Sequence, residues 1–159
     1  LPKQKVGQTL LTGGSQLKQE REELTEKVTL AAKLDAVGIV VTPIDSRGKT
    51  AKKIKKTDKI KITFSIAKNV TAEVGEKYIY ARIVKPDGDV LVKDRADVFP
   101  FEDREINYSC RKLIEYTGEE LNDVTMYWAV EEFLYPGEYR VDIFADNYKI
   151  GTRSFTLKQ

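Results

Sequence analysis

From Lys59 to Ile66 apolar and polar residues alternate without a slip. Ile60, Ile62, Phe64 and Ile66 fall on one side, and Lys59, Lys61, Thr63 and Ser65 on the other. A period of two is that of a β-strand with one face on a core and one in water. The period recurs at Tyr78–Val84, where Ile79, Ala81 and Ile83 turn inward and Tyr78, Tyr80 and Arg82 outward. It recurs again at Val124, Met126, Trp128 and Val130, and Val37, Ile39 and Val41 alternate before Pro43 ends their run. Ile106, Tyr108, Cys110, Ile114 and Tyr116 share one parity of a long strand. The chain closes on a hairpin, in which Tyr139, Val141, Ile143 and Ala145 alternate with polar residues and Phe144 is out of step. Asp146-Asn147 tolerates the positive φ of a tight two-residue turn. On the return strand, Tyr148–Leu157, Ile150 and Phe155 reach one face only through a bulge, and Gly151 is its natural place.

The segments between are turns and loops: Asp45-Ser46-Arg47-Gly48 within the run from Ile44 to Lys56, Lys85–Asp89, and Gly118–Asp123. Asp94–Glu105 reads as an irregular acidic loop around Phe99-Pro100-Phe101. Seven to nine short strands with no helix between them predict a mainly β fold, an immunoglobulin-like antiparallel β-sandwich over residues 37–159. Tyr139, just after Pro136-Gly137, sits where such folds place a tyrosine corner. Ahead of the sandwich, residues 15–36 predict one amphipathic helix with Ser15 as N-cap, about 30 Å long. Its stripe of Leu17, Leu24, Val28 and Ala31 either continues a coiled coil or packs on the domain through Leu30 and Leu34. Residues 1–14, with Pro2, Gly7 and Gly13-Gly14, read as an unstructured or appended segment.

Composition narrows the chemistry. The chain has 159 residues, enough for one domain with an appendage. No apolar run is long enough to span a bilayer. Histidine is absent, which removes Ser-His-Asp and Cys-His mechanisms and most zinc sites. Cys110 is the single cysteine, so no intrachain disulfide forms, and its inward parity reads as a small buried hydrophobe. The net charge of +2 hides an asymmetry: residues 1–70 carry 15 Lys/Arg against 7 Asp/Glu, and residues 71–159 carry 12 against 18. Opposed poles favour head-to-tail association or polyanion contact.

Two sets of residues carry the binding expectations. Arg47, Lys49, Lys52, Lys53, Lys55, Lys56, Lys59 and Lys61 fall within 15 residues, with only Asp58 opposing. This strip suits nucleic acid, anionic lipid or acidic polysaccharide, or is a solvated loop and edge strand. Tyr78 and Tyr80, outward by parity, offer an aromatic face for sugar rings or a partner protein. Loop carboxylates, among them Asp87, Asp89, Asp94, Asp97, Glu102 and Asp103, do not follow a calcium-loop pattern. No metal or cofactor and no catalytic residue is expected.

The segments Lys-Ile-Lys-Ile-Thr-Phe-Ser-Ile (59–66) and Glu-Lys-Tyr-Ile-Tyr-Ala-Arg-Ile-Val-Lys-Pro-Asp-Gly-Asp-Val-Leu (76–91), with the closing hairpin, resemble the C-terminal β-sandwich of uncharacterised bacterial membrane-anchored coiled-coil proteins. These are often loosely labelled as chromosome segregation or partitioning proteins. The resemblance covers about residues 20–159. It implies a place in the bacterial cell envelope, on the periplasmic side of an inner-membrane anchor upstream, with a cytoplasmic placement as the alternative. The expected function is a non-catalytic interaction or structural module that binds another protein through its outer surface or itself through the helix. The alternative is polyanion binding through the 47–61 strip. No small-molecule substrate is expected.

Overall fold

The structure, a computed structural model, describes residues 32–159. Residues 1–14 and most of the expected helix lie outside the described residues. The helix was expected to reach residue 36, but Ala32–Asp35 are not helical. Leu34 is instead drawn into the core at 1% exposure, and the Asp35 carbonyl accepts a hydrogen bond from the Ala67 amide at 3.0 Å.

Nine antiparallel strands follow: β1 (Ala36–Ile44), β2 (Lys59–Ile66), β3 (Gly75–Val84), β4 (Val98–Phe101), β5 (Arg104–Asn107), β6 (Cys110–Tyr116), β7 (Leu121–Ala129), β8 (Gly137–Ala145) and β9 (Tyr148–Leu157). They form a three-stranded sheet of order β1-β2-β7, a four-stranded sheet of order β6-β3-β8-β9 and the β4-β5 hairpin. The fold is mainly β. Ile60, Ile62, Phe64 and Ile66 of β2, Ile79, Ala81 and Ile83 of β3, and Tyr139, Val141 and Ile143 of β8 meet in one core around Trp128. Those are the inward positions that the alternation predicts.

Three departures have local causes. Gly38 takes φ +62° and the β1–β2 register slips between Val37 and Val40, so Ile39 is buried while Val37 and Val40 are exposed. Pro43 does not end the strand. It sits within β1, an edge strand, where the missing N–H costs no ladder bond. The long strand expected from Ile106 to Tyr116 breaks into β5 and β6 at Tyr108-Ser109, where Ser109 turns inward.

The acidic loop is in fact the β4-β5 hairpin, with Pro100 opposite Glu105 and Glu102 at φ +58° in its turn. It covers the outer face of the four-stranded sheet. Phe99 stacks on Tyr80 at 4.3 Å and meets Phe144 at 5.3 Å, and Phe101 meets Phe144 edge-on at 5.0 Å. Phe144 is out of step with the main core because it anchors this second aromatic layer.

The closing hairpin turns at Asp146-Asn147, with φ of 51° and 69°. Its register slips beside Gly151, where Ile150 is the extra residue. A Cβ on Gly151 would lie 2.7 Å from Ile39 Cδ1 and 3.0 Å from Ala36 Cβ, so β1 crosses β9 over a bare backbone. Gly151→Ala is expected to cost about 1–3 kcal/mol through this overpacking. Urea unfolding checks it, and an unchanged midpoint would mean that β1 yields freely.

Candidate functional site

From Arg47 to Lys56 the lysine strip is a loop, and at Lys59 it enters β2. Asp45 Oδ1 accepts hydrogen bonds from the Arg47 and Lys49 amides at 2.9 and 3.0 Å and so fixes the turn after β1. The Lys49 amide first, then that of Arg47, holds the Asp45 carboxyl below its ordinary pKa. Residues Ile54–Lys56 form one 3₁₀ turn. The Ile54 amide donates to the Lys158 carbonyl at 2.9 Å, which pins the loop to the end of β9.

Because the backbone turns rather than pleats, the side chains converge. Arg47, Lys49, Lys52, Lys55 and Lys56 border one concavity of about 640 Å³, together with Asp45 and Asp58. Among the described residues none of these five cations has a carboxylate within ion-pair distance. Lys53 borders a neighbouring hollow of about 340 Å³ with Lys55, Phe133 and Leu134. Phe133 is 73% and Tyr135 68% exposed, and their rings meet edge-on at 4.8 Å. An aromatic pair therefore stands beside the lysines although some 80 residues separate them in sequence. Only the folded register reveals this. Lys59 and Lys61 do not join the concavity. They lie on β2, where Lys61 pairs in register with Tyr127 and Lys59 Nζ sits 5.7 Å over the Tyr127 ring.

A second feature forms at the opposite end of β9. Tyr78, Tyr80, Phe99 and Phe144 line a cleft of about 670 Å³. Its sides come from the start of β3, the β8–β9 turn and the tip of the β4-β5 hairpin. The Glu102 amide donates to Asn147 Oδ1 at 2.8 Å, which ties the two tips together. Glu73, Glu76, Glu102 and Asp146 border the cleft, and Lys77 Nζ holds Asp146 at 2.7 Å. Tyr78 is exposed, with Arg111 at 4.8 Å from its ring. Tyr80 is not the open platform expected from parity: it is half-buried under Phe99.

Cys110 is half-buried, and desolvation pushes its thiol up to about 12. The thiolate form that a nucleophile needs is thereby suppressed. Among the described residues no group of His, Cys, Asp and Glu could hold a metal ion, and no helix is long and apolar enough to cross a membrane.

The search of curated proteins finds no match for the chain. Among solved structures, the chain is similar to a Pseudomonas fluorescens alkylpurine DNA glycosylase, AlkC, bound to DNA containing an abasic site analog. The identity is 16% and the TM-score 0.44, over 83% of this chain and 32% of that one. It is also similar to a β-glucosidase from Kluyveromyces marxianus, at 13% identity and TM-score 0.47, over 80% of this chain and 14% of that one. The chain thus spans about a third of the first protein's length and a seventh of the second's. The model of a family described as a domain of unknown function, DUF8428, matches residues 37–158, and the chain belongs to that family.

Proposed function

We propose that this chain is an immunoglobulin-like β-sandwich that acts as a non-catalytic binding module, with the Arg47–Lys56 loop as a surface for a polyanion. Two features support the sandwich. The sheet orders β1-β2-β7 and β6-β3-β8-β9 divide the strands as two facing antiparallel sheets do. Tyr139 Oη donates to the Tyr135 carbonyl at 2.7 Å, the tie of a tyrosine corner.

The observation that carries the binding reading is the convergence on one concavity of five cations without ion-pair partners among the described residues. Such a surface gains free energy by releasing counterions from an array of phosphates, sulfates or carboxylates. The exposed Phe133 ring beside Lys53 adds a face on which a base could stack.

The test compares wild type with Lys52→Glu/Lys53→Glu/Lys55→Glu/Lys56→Glu on heparin, on a single-stranded oligonucleotide and on phosphatidylglycerol vesicles. Four phosphate contacts predict a log–log salt slope of roughly −3 for the single strand, lost in the variant. Phe133→Ala should weaken the oligonucleotide alone, roughly tenfold, since one stacked base is worth about 1–3 kcal/mol. Equal retention of wild type and the quadruple variant on all three probes would refute the polyanion surface.

A second reading has its own observation. The aromatic cleft on the outer face, open at Tyr78, favours docking of a partner protein there.

A further inference from the structure

We propose that the aromatic cleft of one molecule receives the Arg47–Lys56 loop of a second copy, so that copies join head to tail. The inference rests on the cleft being a partner-protein site, and it names the partner. Complementarity of charge chooses it. The cleft is lined by Tyr78 and Tyr80 and bordered by Glu73, Glu76, Glu102 and Asp146; its lining cation, Lys77, is already held by Asp146, and Arg111 lies 4.8 Å from the Tyr78 ring. The loop offers the converse charge, exposed Lys and Arg with no carboxylate in ion-pair reach among the described residues. A lysine ammonium gains from an aromatic face and a carboxylate together, and such a site excludes a competing anion.

Position within the fold makes the contact intermolecular. The loop is pinned to Lys158, at the finish of β9, and the cleft lies at the Asp146-Asn147 turn where β9 begins. The ten residues of β9 span about 30 Å, so loop and cleft of one molecule cannot meet. The interface is therefore heterologous. Each added copy leaves one loop and one cleft free, and growth continues along a line unless the rotation closes a ring. At the loop end, Glu131 and Glu132 do not cancel the field, because Lys93 and Lys85 pair with them at 3.5 and 3.6 Å.

The test is sedimentation velocity on the full chain at low and high salt. Wild type should show concentration-dependent oligomers at low salt that dissociate as added salt shortens the Debye length to a few Å. A loop variant (Lys52→Gln/Lys53→Gln/Lys55→Gln/Lys56→Gln) and a cleft variant (Glu73→Gln/Glu76→Gln/Glu102→Gln) should each associate at least roughly tenfold more weakly, about 1.4 kcal/mol. An equimolar mixture of the two variants restores one intact loop and one intact cleft per pair, so it should form dimers that grow no further. Heparin retention should fall in the loop variant only, which separates this interface from the polyanion surface. A wild type that stays monomeric, or association that persists in either variant, overturns the loop-in-cleft contact. A peptide copying residues 46–58 provides a further arm on the same samples. If wild type is monomeric yet its cleft binds the peptide and the cleft variant does not, the partner-site reading stands and only self-docking fails. If neither occurs, both fail.

Discussion

Asp142→Ala is expected to lower the unfolding free energy by about 2–4 kcal/mol, because it removes a buried carboxylate that accepts charged hydrogen bonds and faces a half-buried arginine. Alternation assigns Asp142 to water, but it is 3% exposed on the outer face of the four-stranded sheet. Its carboxylate accepts from Arg140 Nε at 3.1 and 3.2 Å and from Thr152 Oγ1 at 2.7 Å. Arg82 stands beside it in register on β3, with a buried Nε that has no hydrogen-bond partner. Desolvation lowers the Arg82 pKa, the Asp142 charge raises it, and Arg104 and Arg140 oppose Asp142. The aspartate is therefore the counter-ion of two guanidinium groups, Arg82 and Arg140, and alanine leaves the half-buried Arg82 without one. Urea unfolding of Asp142→Ala beside Asp142→Asn separates charge from shape, since asparagine keeps the volume and an acceptor for Thr152. Asparagine should fall between wild type and alanine. Loss of less than 1 kcal/mol in alanine would show that water, not Asp142, neutralises this cluster.

The same position shows where sequence reading stops. Period-two alternation reports one buried face, and it located β2, β3, β7 and the inward side of β8. The outer face of the four-stranded sheet has a second cover, and residues there look polar or misplaced when judged against one core. Phe144 out of step and Phe99-Pro100-Phe101 in an acidic run were the visible traces of that cover. Pro100 and the turn-forming Glu102-Asp103 disguised a four-residue strand pair as a loop. Parity places Tyr80 outward but cannot say that another ring lies on top of it.

The two candidate surfaces were legible to different degrees. The cations from Arg47 to Lys56 are adjacent in sequence, so their density is visible, whereas the concavity follows from a 3₁₀ turn too short to leave a period. Spacing groups Lys59 and Lys61 with them, but these two belong to a strand that carries them elsewhere. The cleft could not be assembled from sequence at all. Tyr78 and Tyr80 were named, but Glu73, Glu102 and Asp146 come from three connections that meet only through sheet register and the Glu102–Asn147 hydrogen bond. The charge asymmetry between the chain's halves hinted at two poles. The fold adds that the cationic loop and the carboxylate-bordered cleft stand at opposite ends of one strand.

Ser109→Ala is expected to cost about 2–4 kcal/mol, because one hydroxyl serves two buried backbone groups. Ser109 is 3% exposed between β5 and β6. Its Oγ accepts from the Ile83 amide at 2.8 Å and donates to the Leu91 carbonyl, and its own amide donates to the Ala81 carbonyl at 2.8 Å. Ile83 and Leu91 are fully buried, so no water replaces the lost partner in alanine. The backbone bond from the Leu91 amide to the Ile83 carbonyl remains, so the segment should loosen rather than detach. That distinction sets the measurement. Hydrogen exchange should show the Ile83 amide of the variant exchanging by local opening, faster than the global unfolding rate, while the Ile62 and Ile143 amides follow global stability. Ile83 protection equal to that of Ile143 in the variant would assign the amide another partner. Ser109 would then be no more than a small residue that the Tyr108–Cys110 bend requires.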